Sequence, residues 1–116
     1  MPTTNQYPNQ NVHTTITIAS GQTTSDAVDL RGTTLIAIQM PGSWTSADIS
    51  FQASIDGSTF YDVYDSQGVA VTYAAGASQL ISVHNVAAMA GLRYLKLVSS
   101  AAQGADRSLT LISRGI

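Results

Sequence analysis

The amino-acid sequence predicts an all-β protein, an antiparallel β-sandwich or jelly roll of about eight strands. The first observation is composition: charged residues make up 10% of the chain, with no Glu and a single Lys, Lys96. Helices favour Glu and Lys on their exposed faces, so this composition favours strands. The second observation is an apolar period of two. The third is that clusters of Gly, Pro, Asp and Ser separate the periodic runs at intervals of about ten residues.

The period of two places the strands in order. Ile16 and Ile18 alternate with threonines in the first strand, and Ile49 to Ile55 alternate with polar residues in the clearest one. The consecutive apolar residues 35–38 are typical of a strand covered on both faces. Asp56-Gly57 is a strong hairpin signal between two strands. The strands are predicted over 15–18, 33–40, 48–55, 60–64, 69–73, 79–83, 93–99 and 108–113.

The inward positions of these strands predict the hydrophobic core. Residues on one face of a strand recur at every second position, and the apolar ones are expected to pack between the two sheets. The predicted core comprises Ile16, Ile18, Ile36, Ile38, Ile49, Phe51, Ile55, Leu95, Leu97, Leu109 and Leu111.

The first twelve residues differ in composition from the rest of the 116-residue chain. They are rich in Asn and Gln and hold too little apolar surface to order themselves. We therefore divide the chain into an extended polar N-terminal arm, residues 1–12, and one sandwich domain, residues 13–116. The arm is either a frayed terminus or a segment that orders against another molecule. On the second interpretation its docking residues are Pro2, Asn5, Tyr7, Pro8 and Asn11.

The sequence offers little for catalysis or metal binding. His13 and His84 are the only histidines, neither has a recognisable partner, and there is no cysteine. The seven Asp residues lie mostly at turns and strand ends, where Asp is favoured for local hydrogen bonds. We expect no enzymatic activity and no cofactor. A loop calcium site remains the alternative, since calcium takes oxygen ligands, and its candidate residues are Asp26, Asp29 and Asp65.

Charge and hydropathy restrict the partners. A net charge of −2 provides no basic patch for nucleic acid or anionic lipid. The longest apolar stretch, residues 86–92, is far shorter than the roughly 20 residues that span a bilayer. The first five residues have neither the charged nor the apolar region of a signal peptide. We expect a protein made in a cytoplasm without a secretion signal, with no nucleic-acid or membrane partner.

Three aromatic residues are candidates for contact with a ligand or partner. Trp44 lies in the polar segment between two predicted strands, and either plugs one end of the sandwich or stacks on a sugar or protein. Tyr61 and Tyr64 lie on opposite faces of their predicted strand, so at least one is expected to meet solvent or a neighbouring subunit.

Three stretches, in order, resemble discoidin (coagulation factor 5/8 C-type) domains. Residues 28–32 resemble the opening V-D-L-G, residues 54–60 the S-x-D-G hairpin before an aromatic, and residues 91–97 the A-R-Y-V-R-L strand. The resemblance implies a galactose-binding-like jelly roll. The chain lacks the disulfide that the family carries, and its early loop, residues 20–25, is short and polar. Lipid binding is therefore not carried over.

The overall format is also similar to small structural proteins of tailed bacteriophages. It combines a polar arm, a charge-poor Ser/Thr/Ala-rich sandwich and no cysteine. This similarity implies a non-enzymatic virion protein, a capsid decoration protein on the capsid surface. Its partners would be the major capsid protein, other virion proteins and copies of itself in a homo-oligomer. The alternative is a carbohydrate-binding module or a tail-associated receptor-binding protein that contacts a host surface glycan.

Overall fold

Nine strands form two antiparallel sheets in the computed structural model, which describes residues 11–83, 89 and 91–115. The strands alternate with turns, as the period of two and the turn residues predict. Their bounds are β1 Asn11–Ile18, β2 Val28–Asp29, β3 Thr34–Gln39, β4 Ile49–Ser54, β5 Tyr61–Asp62, β6 Thr72–Tyr73, β7 Leu80–Ser82, β8 Tyr94–Ser99 and β9 Arg107–Arg114.

The strand order is that of a jelly roll. Sheet A has the order β1-β9-β3-β7, and sheet B has the order β2-β8-β4-β5, with β6 also paired to β4. Except for β4, β5 and β6, which all lie in sheet B, successive strands alternate between the sheets, and neighbours within a sheet are mostly distant along the chain. The predicted all-β sandwich is confirmed, and so is the jelly roll that the discoidin resemblance implied.

The core lies between the inner faces of the two sheets. At its centre Phe51 of β4 is 1% exposed and meets the ring of Tyr73 edge to face, with centroids 5.9 Å apart. Nine of the eleven residues predicted for the core are buried. These nine are Ile16, Ile18, Ile38, Ile49, Phe51, Leu95, Leu97, Leu109 and Leu111.

Two core predictions are wrong. Ile55 is 88% exposed, because β4 ends at Ser54 and Ile55 is the first residue of the following loop. Ile36 is only half-buried, because the register against β9 shifts between Leu35 and Ala37 and makes Ile36 the extra residue of a β-bulge. The bulge brings both Leu35 and Ile38 to the core. The outer face of β3 is partly exposed rather than covered.

Two boundaries differ from the prediction. Strand β1 begins at Asn11, which pairs with Arg114 of β9, so the last two residues of the predicted arm belong to the sandwich. The short strand β2 lies where only a turn was expected, and pairs with β8 through Val28 and Leu95. The rest of the arm, residues 1–10, lies outside the described residues.

Among the residues that are described, no helix has the length and apolar character needed to cross a bilayer.

Candidate binding surface

An open groove of about 440 Å³ lies where β4 and β5 meet, at one end of the sandwich. Its floor is formed by Ala53 and Val63, which are each 8% exposed. Its outer wall carries three large side chains that face solvent: Ile55 at 88%, Tyr61 at 70% and Tyr64 at 58% exposure. Exposed apolar side chains that line one groove characterise an interaction surface. We call this surface the tyrosine groove; its remaining lining residues are Ser54, Asp62 and Leu92.

The loop that presents Ile55 is held by the carboxylate of Asp56. Asp56 Oδ1 accepts hydrogen bonds from the backbone N–H groups of Ser58 at 2.8 Å and Thr59 at 3.0 Å. It also accepts one from the Ser54 hydroxyl at 2.8 Å. These hydrogen bonds stabilise the ionised form and lower the pKa of Asp56 to about 2. The predicted Asp56-Gly57 hairpin is confirmed, although its loop is longer than a two-residue turn.

Gly57 permits the close approach of this loop to β8. Its φ is +82°, a conformation that residues with a Cβ rarely adopt. A Cβ at this position would lie 3.4 Å from the ring of Tyr94. The Arg93 guanidinium also packs on the Tyr94 ring, 5.2 Å from the centroid, and forms a bidentate ion pair with Asp29, at 2.8 and 3.1 Å. The loop is thus packed against an ordered part of sheet B.

A second turn fixes the far side of the groove. Asp65 Oδ1 accepts hydrogen bonds from the backbone N–H groups of Gln67 at 2.9 Å and Val69 at 3.0 Å. Tyr64 itself forms an antiparallel bridge with Ala70. Both ends of the segment that carries the two tyrosines are therefore anchored, so the exposed rings extend from an ordered backbone.

The prediction for the three aromatic residues is only partly right. Tyr61 and Tyr64 are both exposed and line the same groove. Trp44 is 4% exposed and belongs to the core, so it is not a ligand contact and the end-plug interpretation applies. Its indole Nε1 is buried and has no hydrogen-bond partner among the described residues.

The calcium candidates are occupied as hydrogen-bond acceptors in separate places. Asp26 Oδ1 accepts from the backbone N–H of Thr17 at 3.0 Å, Asp29 binds Arg93, and Asp65 holds its own turn. Within the described parts of the chain, no group of three His, Cys, Asp or Glu side chains could hold a metal ion. His13 is an exposed residue of β1. His84 and the arm residues Pro2, Asn5, Tyr7 and Pro8 lie outside the described residues.

Sequence analysis missed two residues of the tyrosine groove. Ile55 was assigned to the core by alternation, and only its position directly before Asp56-Gly57 indicates that it belongs to the loop. Leu92 follows Gly91 and precedes β8, so it was not linked to any strand pattern. It reaches the groove only through the tertiary fold.

The strand order and the exposed groove define a small jelly-roll protein with a candidate binding surface at one end. No protein-family model matches the chain. No curated protein matches it either. Among solved structures, it is similar to the SPBc2 prophage-derived protein YomS, with a TM-score of 0.55 and 14% identity over 90% of this chain and 95% of that one. At this identity the similarity concerns the fold alone.

Two weaker similarities have lower TM-scores. One is to the carbohydrate-binding module CBM32-1 from a family 31 glycoside hydrolase of Clostridium perfringens, with a TM-score of 0.42 and 14% identity over 90% of this chain and 75% of that one. The other is to the Yersinia pseudotuberculosis-derived mitogen, with a TM-score of 0.43 and 8% identity over 91% of this chain and 86% of that one.

Proposed function

We propose that the protein is a non-enzymatic bacteriophage virion protein, a capsid decoration protein that docks on the major capsid protein. The observation that carries this proposal is the tyrosine groove. Tyrosines that combine a large apolar ring with a hydroxyl are enriched at protein interfaces. The groove lies on a rigid scaffold, and its three exposed side chains form one contiguous surface.

Two further observations support a protein partner. Charged residues are scarce across the whole chain, and a charge-poor surface is favoured where neighbours cover it, because few charges are then desolvated. The similarity to YomS extends over nearly the full length of both chains, and YomS is described as prophage-derived. In this proposal the N-terminal segment supplies a second contact through Pro2, Asn5, Tyr7 and Pro8, and the protein is located on the virion surface.

A carbohydrate-binding role is the second candidate, and one observation favours it. Tyr61, Asp62 and Tyr64 line the same groove, and the Asp62 carboxylate accepts a hydrogen bond from the Gln52 side-chain amide at 3.3 Å. The apolar face of a sugar can pack on an aromatic ring while its hydroxyls donate to a carboxylate. A host surface glycan bound there would make the protein a receptor-binding component.

The test is the binding of purified protein to phage particles that lack it. The double variant Tyr61→Ser/Tyr64→Ser should bind about tenfold more weakly or worse, because it truncates two interface tyrosines. Removal of residues 1–10, which leaves β1 intact, should also weaken binding. Val69→Ser is the matched control, since Val69 is 60% exposed but does not line the groove. It should bind like the wild type.

The same variants separate the two candidates. A glycan that binds the folded protein raises its melting temperature, and the rise would disappear in the tyrosine double variant. Unchanged particle binding by the double variant, together with such a rise in the wild type, would favour the carbohydrate role. Unchanged particle binding without any glycan effect would refute the proposed use of the groove.

A further inference from the structure

Strand β1 is the one long sheet edge among the described strands. It pairs only with β9 and spans eight residues, whereas the other edges are the three-residue β7 and the two-residue β2, β5 and β6. Natural proteins protect long edges with Pro, Lys, other charges or bulges. Residues 11–18 contain no proline and no charged residue, and their pairing with β9 is regular throughout. Neither a proline, a charged side chain nor a bulge within residues 11–18 protects this edge.

The hydrogen-bond pattern shows which backbone groups face outward. The Thr17 N–H donates to Asp26 Oδ1 at 3.0 Å, and the Asp26 N–H donates to the Thr17 carbonyl at 3.4 Å. Both groups of Thr17 therefore point away from β9. Since outward and inward residues alternate in an antiparallel strand, the same holds for Asn11, His13 and Thr15. No side chain or loop of the described residues covers them as Asp26 covers Thr17, so the edge is open over 11–15.

An open groove of about 620 Å³ lies directly beside this edge. Val12 and Thr14 line it from β1, on the same side of the strand as the buried Ile16. Val28 and Leu30 line it from sheet B. Val12 is 46% exposed, although it faces inward. A strand added to the edge would insert every second side chain into this groove.

We propose that β1 of a second copy of this chain occupies the edge, antiparallel and related by a two-fold axis. The outward backbone groups at Asn11, His13 and Thr15 determine the register. They place His13 opposite His13 of the second copy and Asn11 opposite Thr15 of the second copy. The ladder cannot continue past Thr15, because Asp26 occupies the groups of Thr17.

This register is self-complementary in its side chains. Val12 lies opposite Thr14 of the second copy, so each valine enters the other copy's groove beside Val28 and Leu30 and loses its exposure. At pH 7, with His13 neutral, no residue in 11–15 is charged, so the two-fold axis brings no like charges together. We expect a ladder of five residues to bury less than the roughly 800 Å² per partner that is typical of a stable complex. We therefore expect association that increases with concentration and is most complete where copies are crowded.

Single cysteines test the register directly, because the natural chain has none. In the proposed dimer the His13 Cα atoms lie about 5.5 Å apart, within the range that a disulfide spans. Mild oxidation of concentrated His13→Cys protein should give a disulfide-linked dimer. Thr15→Cys is the matched control on the same exposed edge: its partner is Asn11, so it should not cross-link to itself. The double variant Asn11→Cys/Thr15→Cys should cross-link.

Sedimentation of the purified protein provides an independent measurement. Thr15→Pro removes an outward N–H but no hydrogen bond to β9, so the variant should fold and remain monomeric where the wild type associates. Equal cross-linking at positions 13 and 15, or none at 13, would overturn the proposal. A wild type that stays monomeric at high concentration would also overturn the proposal. The same is true if the β1 edge binds a different protein but not a second copy of this chain. None of these measurements needs a phage particle, so they are independent of the proposed function.

Discussion

Replacement of Phe51 with alanine should produce the largest loss of stability of any single core truncation in β4. The side chain is 1% exposed, faces Leu97 of β8 in the sheet register, and packs edge to face on Tyr73. Truncation of a buried Phe costs about 3–5 kcal/mol through lost transfer free energy and the remaining cavity. For a domain of this size, that corresponds to a fall in melting temperature of about 10–20 °C.

Ile55→Ala is the informative control for Phe51→Ala. The sequence places both residues on one face of the same strand, but Ile55 is 88% exposed. Its truncation should change the free energy of unfolding by less than about 0.5 kcal/mol. The measurement is urea unfolding followed by far-ultraviolet circular dichroism, with the slope compared between variants. Similar losses for the two variants, or no loss for Phe51→Ala, would refute the assignment of the core.

Three further predictions concern the loops. The folded-state pKa of Asp56 is about 2, below the usual Asp pKa of 3.8, so the unfolded state binds more protons between these values. The stability contributed by the ionised Asp56 is complete above the unfolded pKa and is lost as the pH falls towards 2. The urea midpoint of Asp56→Asn should therefore depend less on pH in this range than the midpoint of the wild type. Gly57→Ala should lower the free energy of unfolding by about 1 kcal/mol or more, since φ is +82° and the Tyr94 ring is 3.4 Å from the new Cβ. An unchanged melting temperature would contradict this prediction. Gln103→Leu should lower the free energy of unfolding by about 1–3 kcal/mol, because Gln103 is 1% exposed and its side-chain amide bonds both the N–H and the carbonyl of Thr45, at 2.9 and 3.1 Å. Chemical denaturation measures this loss, and a variant as stable as the wild type would contradict it.

Strand positions could be predicted from the sequence because one-sided burial leaves a period of two. The pattern is clearest in β4, where Ile49, Phe51 and Ala53 face the core and the intervening residues do not. It misplaces Ile55 because alternation alone does not show where pairing ends. It misplaces Ile36 because a bulge adds one residue and reverses the faces, which leaves four consecutive apolar residues with no internal sign of the shift.

The binding surface was less predictable than the fold. Tyr61 and Tyr64 were identified because they lie on opposite faces of their predicted strand, so that at least one was expected to meet solvent or a neighbouring subunit. The groove between them depends on Leu92 and Ile55, which come from distant and misassigned segments. Trp44 has the same local sequence signals as an exposed aromatic, and only its packing against the core distinguishes it. The open edge of β1 depends on which strands pair with each other, and the local pattern of polar and apolar residues does not show this.

The position of β9 has a consequence for biosynthesis. This strand lies between β1 and β3 in sheet A and pairs with both, yet it is translated after all of its partners. Until it emerges, β1 has no neighbour in the sheet, and the apolar faces of β1 and β3 lack the residues Leu109 and Leu111 that pack beside them. Such long-range pairings fold slowly, and partly made sheets expose edges that aggregate. Folding is therefore expected to await the arrival of β9, so that purified chains shortened before Arg107 should remain sensitive to proteases while the chain that includes Arg114 becomes resistant.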